Sequence, residues 1–249
     1  MTLECDTADD RASKMRYPVI TIDGPSGAGK GTAAWRLAKA LNYQLLDSGA
    51  LYRIVGLKAF EAGLLNNSSS IPLDEEAITG LTQKLTISFM PNQATGNVDI
   101  LVDDALIGND IRNETVGGYA SKVAVFPKVR QALLSLQQRM AEQSGVIADG
   151  RDMGTVVFPN ADVKIFLTAS SESRAQRRVA QLQKAGQEAD YEAILATIQD
   201  RDSRDESRAA SPSKPAKDAL VIDSSTLDAD QVYEAIKQHC QTKGICVND

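Results

Sequence analysis

Short apolar runs rich in β-branched residues alternate along this chain with longer stretches whose apolar positions recur at helical spacing. Val19–Asp23 (VITID) is the first run, and its β-branched residues predict a buried strand of a parallel sheet. A Gly-rich turn follows, then a helix over 33–41, a strand over Gln44–Asp47 and a helix over 51–62. Runs at 146–149, 163–167 and 219–223 predict three further core strands. Residues 114–125, 127–143, 171–184, 191–208 and 229–241 read as helices, with Pro127 suited to a first helical turn. Strands alternating with helices in this way predict an α/β fold, a five-stranded, mostly parallel, doubly wound sheet with helices on both faces.

The pattern changes at Leu65. Asn66, Asn67 and three serines make a loop, a helix is expected from about Asp74, and 85–90 and 98–102 read as two strands around a turn at 92–96. This predicts a local antiparallel insertion, over about 65–114, within an otherwise βαβ chain. No internal repeat is evident.

Composition narrows the function classes. The 249 residues are 43% hydrophobic and 24% charged, as in an ordinary soluble globular protein, and the net charge of −6 argues against a broad nucleic-acid-binding face. No stretch approaches a membrane span, and residues 1–16 are polar, lack an apolar signal core and read as a disordered tail. Met15, just before the first strand, is an alternative translation start. Cysteines at 5, 240 and 246, without CxxC spacing, predict neither a zinc site nor a disulfide framework and fit the cytoplasm. The single histidine, His239, lies near the end of the last predicted helix, which leaves no basis for a Ser-His-Asp triad.

The sharpest signal is Gly24-Pro25-Ser26-Gly27-Ala28-Gly29-Lys30-Gly31-Thr32. It holds G-x-x-x-x-G-K between a strand and a helix, the context in which glycines let backbone N–H groups surround a polyphosphate. Lys30 is the candidate to neutralise charge as the phosphate bond breaks. The hydroxyl follows one place late, at Thr32 rather than directly after the lysine, which disfavours a regulatory GTPase and makes phosphate contact the safer role for Thr32.

Two further segments end predicted strands where open α/β folds bind ligands. In DSGALYR (47–53), Ser48 is either an ordinary N-cap or a ligand contact, and Arg53 can reach a phosphate. In DGRD (149–152), Asp149 sits where an aspartate can orient magnesium, and Arg151 and Asp152 are set toward the same cleft. Arg201, Arg204, Asp205 and Arg208 share a face of the 191–208 helix, and Arg174, Arg177 and Arg178 share another. Arg204 and Arg208 are a like-charged i,i+4 pair, so an anion rather than a salt-bridge ladder is the favoured explanation.

GPSGAGKGT, LLDSGALYR, VIADGRDMGTVVFP and the D-R-D-x-R-D-x-x-R stretch from Asp200 together resemble the bacterial cytidylate kinases, over nearly all of residues 17–240. The resemblance implies a single P-loop kinase domain over 17–249, with a monophosphate-binding insertion that carries a small antiparallel sheet and a short lid at about 174–190. It implies phosphoryl transfer from ATP, with Mg²⁺, to CMP and dCMP. Lys30, Arg151 and Arg208 would then be catalytic, and Gly24 to Thr32 with the lid residues Arg177 and Arg178 would hold ATP. Ser48, Tyr52, Arg53, Arg151, Arg201, Asp205 and Arg208 would surround the acceptor nucleotide. Ser121, Arg130 and Asp152 would read cytosine. A carboxylate such as Asp152 suits the N4 amino donor of cytosine and repels the oxygen that uracil carries there. Asp149 and Thr32 are the candidate metal contacts. The competing readings are a UMP, AMP or small-metabolite kinase, a nucleotide-dependent switch and a nucleic-acid binder. A monomer is the default.

Overall fold

Every side chain of β1 (Val19–Asp23) is buried, as expected of a strand with partners on both edges. In the computed structural model, which describes residues 17–65, 73–92, 97–108, 111, 113–207 and 211–247, β1 is the central strand of the main sheet. The other strands are β2 (Gln44–Asp47), β6 (Val146–Gly150), β7 (Val163–Thr168) and β8 (Leu220–Asp223), in the order β2-β6-β1-β7-β8. β1 pairs in parallel with β6, Val19 opposite Val146, and with β7, Ile20 opposite Val163, and β7 pairs in parallel with β8.

The backbone divides into two compact units, one formed by the chain up to Tyr43 with Ser144 onward, the other by Gln44–Gln143. In the first, α1 (Lys30–Leu41) packs on β1, β6 and α8 (Ala229–Thr242), burying Ala33, Ala34 and Leu37. Trp35, half-buried on α1, carries the Lys39 ammonium 5.3 Å from its ring centroid. A helix pair follows β7, α6 (Ser171–Lys184) and α7 (Tyr191–Ser207), packed on one another. Cys240 is a free, buried thiol, and burial pushes its pKa up to about 12.

In the second unit α2 (Ser48–Glu61) packs closely on α4 (Glu114–Val123). Gly56 makes this approach possible, because a Cβ there would lie 2.7 Å from the backbone of Tyr119 and Ala120. α3 (Glu75–Lys84) packs on α5 (Pro127–Met140), whose first residue is the expected proline.

The insertion holds an antiparallel sheet of three strands, β3 (Ile87–Asn92), β4 (Asn97–Val102) and β5 (Ala105–Ile107), where the sequence predicted two. The added strand follows a two-residue turn at Asp103-Asp104, both at positive φ (50° and 64°), the conformation that closes a tight hairpin and that aspartate tolerates. The turn expected at 92–96 falls largely outside the described residues, as do the tail over 1–16 and the Asn-Ser loop.

Candidate active site

α1 starts three residues earlier than its apolar periodicity predicts, because the phosphate loop feeds directly into it. Gly24 (φ 139°) lies against β7, where a Cβ would be 1.9 Å from the carbonyl oxygen of Leu167, so no side chain fits. Gly27 and Gly29 also have positive φ, and Gly29 is the N-cap of α1 without any side-chain cap. The first-turn N–H groups of α1 therefore point back toward the loop, an arrangement suited to a polyanion. Lys30 is only 6% exposed; its Nζ donates to the Pro25 carbonyl at 2.9 Å and lies 3.8 Å from Asp149 Oδ1. Burial holds Lys30 below the ordinary lysine range, the Arg151 charge adds to this, and Asp149 opposes it. An anion in the loop would relieve the same strain.

The β1–β6 register sets Asp23 opposite Gly150, which brings Arg151 and Asp152 beside the phosphate loop. Arg151 Nε donates to Asp205 Oδ2 at 2.9 Å and Nη1 to the Gly150 carbonyl at 3.3 Å. Asp152 is buried at 5% exposure. The next residues, Met153–Val157, form one π-helical turn that the strand-and-helix pattern did not foresee. Its first two N–H groups donate to Asp23, Met153 N to Oδ1 at 2.8 Å and Gly154 N to Oδ2 at 2.7 Å. Burial pushes Asp23 up to about 7, against the lowering effect of these two bonds.

The arginines of α6 and α7 divide into distinct roles. Arg174, 4% exposed, donates through Nε to the Ala169 and Ser170 carbonyls. Its Nη1 reaches the Ser26 carbonyl at 3.2 Å, and both terminal nitrogens bind the Asp202 carboxylate at 3.0 and 2.5 Å. Arg174 thus fastens the phosphate loop to both helices. Arg201 Nη1 is 3.4 Å from Ser26 Oγ. Arg177 donates to the Ser224 and Leu227 carbonyls, and Arg178 to Gln181 at 2.9 Å. Arg204 pairs with Asp200 one turn away at 2.6 Å on the exposed side, so for this residue the salt-bridge ladder holds and the anion argument does not. Arg208 lies outside the described residues.

The remaining expected acceptor residues, Ser48, Tyr52, Arg53, Ser121 and Arg130, lie in the second unit. Asp47, not Ser48, caps α2 by accepting from Ala50 N at 3.0 Å, and Ser48 is buried as the first helical residue. Arg53 Nη1 donates to the Ile111 and Asn113 carbonyls, both at 2.8 Å. Ser121 Oγ donates to the Gly117 carbonyl at 3.1 Å, and the Arg130 guanidinium lies 5.6 Å from the centre of the Tyr52 ring. Sequence reasoning missed Asp23, Arg174 as a buried brace, and Asp202. The one available signal for the first was an aspartate closing a β-branched, buried strand.

The donor set fits magnesium held mostly by substrate phosphate. Such an ion needs only one or two protein oxygens, and Asp149, the penultimate residue of β6, has Oδ2 3.6 Å from where a Gly31 Cβ would be. Asp23 suits this task less well, because both its oxygens already accept backbone N–H groups. No group of three His, Cys, Asp or Glu residues able to hold a metal occurs among the described residues.

A parallel sheet whose central strand runs through a Gly-rich loop into a helix led by lysine, with arginines closing on the loop, defines a P-loop phosphotransferase. A profile of the cytidylate kinase family matches residues 20–242, and the chain belongs to that family. The cytidylate kinase of Pasteurella multocida is 50% identical over 230 residues, which cover 90% of this chain and 97% of that one. That of Actinobacillus succinogenes is 51% identical over 227 residues, covering 90% and 99%. Among solved structures, thymidylate kinase from Candida albicans aligns over 94% of this chain at a TM-score of 0.43 and 15% identity. Among the described residues no helix is long and apolar enough to cross a membrane.

Proposed function

We propose that this chain moves the γ-phosphoryl group of ATP onto CMP and dCMP, releasing ADP and forming CDP and dCDP. The observation that carries this reading is a buried carboxylate, Asp152, one residue from Arg151 and delivered by the β1–β6 register to the side of the phosphate loop. A carboxylate there pairs with the cytosine amino group and opposes uracil, while the guanidinium serves a phosphate.

The nucleophile is an oxygen of the CMP phosphate, already anionic near neutral pH, so no side-chain base is required. It attacks the γ-phosphorus as the bond to the ADP oxygen breaks, and catalysis lies in positioning and in neutralising spread charge. Lys30 and the loop N–H groups hold the donor phosphates, and Arg151, Arg201 and Arg208 meet the charge shared between donor and acceptor. Asp149 and Thr32 would hold magnesium, which would supply charge neutralisation to the donor phosphates. By the family resemblance, Ser48, Tyr52, Arg53 and Asp205 are assigned to the CMP phosphate and sugar, and Ser121, Arg130 and Asp152 to cytosine. The adenine end of ATP has a place in a cavity of about 240 Å³ beside the loop, lined by Gly29, Thr32, Arg177, Ser224, Leu227 and Val232. Arg177 and Arg178 belong to a lid over about 174–190 that excludes water. In this reading the enzyme is a cytoplasmic monomer acting on small nucleotides.

The test is ADP formation from Mg-ATP with CMP, dCMP, UMP, AMP and shikimate offered separately. Turnover with CMP and dCMP alone is expected. Turnover with another acceptor would keep the kinase and discard the cytosine argument. Tight ATP binding without turnover would favour a switch.

A further inference from the structure

The π turn at Met153–Val157 follows Asp152 directly, and its hydrogen bonds show how Asp152 is held. Val156 N and Val157 N donate back to the Asp152 carbonyl at 2.8 and 3.2 Å, and Phe158 N donates to Met153 O at 2.6 Å. As at any helical start, the first N–H groups have no acceptor inside the turn. Met153 and Gly154 are both buried, so those donors must find an acceptor within the protein. Asp23 supplies both acceptors from β1, one carboxylate oxygen to each N–H. The fit is close: a Cβ on Gly154 would stand 2.8 Å from Thr21 Oγ1 and 3.3 Å from Asp23 Oδ2.

We infer that Asp23 is a positioning residue for base selection, its two oxygens fixing the backbone that aims Asp152 and Arg151. The inference rests on the reading of Asp152 as the contact for the cytosine amino group. Asp23 touches neither nucleotide in this scheme; it acts through the turn. Asparagine at this position has the same shape but only one acceptor, and its amide N–H₂ group would face a backbone N–H. Asp23→Asn should therefore release one end of the turn with little change in side-chain volume.

The experiment measures CMP and UMP kinetics and amide hydrogen exchange in the full chain for the wild type, Asp23→Asn and Asp152→Asn. In Asp23→Asn, exchange protection at Met153 and Gly154 is expected to fall, and the CMP-over-UMP ratio of kcat/KM to drop by about tenfold or more through the KM for CMP. The KM for ATP is expected to stay within about twofold, a split that a general loss of structure would not produce. Adding Asp23→Asn to Asp152→Asn should change selectivity little further. Selectivity lost in Asp152→Asn but kept in Asp23→Asn overturns the inference. Selectivity kept in Asp152→Asn removes the cytosine reading instead, and Asp23 is then judged on exchange, with retained protection in Asp23→Asn overturning its role. Asp23→Ser, which keeps one acceptor in a smaller side chain, serves if the asparagine variant does not fold. Should neither fold, fast exchange at the Met153 and Gly154 amides of the wild type would itself refute the inference.

Discussion

Arg151 and Asp205 are joined by a 2.9 Å bond between Nε and Oδ2, with the arginine side chain 19% exposed and the aspartate 6%. The bond crosses from the end of β6 to α7, so Asp205 aims a guanidinium that would otherwise sample many rotamers. Removing one partner of such a pair leaves the other charge without its counter-ion. Asp205→Asn is expected to lower kcat on the order of 10²-fold through misplacement of Arg151. It should also cost about 3 kcal/mol of stability. Steady-state kinetics and urea unfolding check both, and wild-type values in either would contradict the arrangement.

Lys30 is fixed by the Pro25 carbonyl and faced by Asp149, at the first residue of α1. Lys30→Ala should leave the far-ultraviolet circular dichroism unchanged and reduce kcat by about 10²-fold or more, as loss of a preorganised charge does elsewhere. Turnover near the wild-type rate would remove Lys30 from the reaction.

Arg174 is buried and binds three carbonyls and a carboxylate, which lysine cannot reproduce with its single nitrogen. Arg174→Lys is expected to lose about 3 kcal/mol and to raise the KM for ATP more than that for CMP, because Ser26 loses its brace. Equal rises in the two KM values would speak against a role confined to the phosphate loop.

Asp23 gives the fold a pH dependence with a definite sign. Its folded pKa, about 7, lies above the ordinary 3.8, so the native state holds a proton that the unfolded chain has released between those values. Stability from this group is undiminished below the unfolded pKa and falls as pH rises toward 7, by at most about 1.4 kcal/mol per pH unit. Asp23→Asn removes that slope. Urea unfolding at pH 5 and pH 7.5 should show a smaller difference between the two pH values in the variant than in the wild type, and equal differences would mean that Asp23 is ionised throughout.

The strands were legible because burial on both faces leaves a continuous β-branched run, as in Val19–Asp23. The phosphate loop was legible because its chemistry needs glycines at fixed places. Local sequence could not show that Arg204 would turn to Asp200 while Arg174 turned inward, since both lie on arginine-bearing helices and only the packing of α6 on α7 separates them. The π turn was hidden for a related reason. Its hydrogen bonds depend on Asp23, more than a hundred residues earlier in the chain, and no periodicity carries that information. The third insertion strand was missed although Asp103-Asp104 offered the turn signal, because three residues are too few to show alternation.

Trp35 is the chain's single tryptophan, and it lies on the second turn of the helix that Lys30 begins. Its emission therefore reports on one helix alone, the one whose first turn would carry the donor phosphates. Nucleotide titrations can be followed by intrinsic fluorescence without a label, and a change in signal would locate the event at α1 rather than somewhere in the molecule at large.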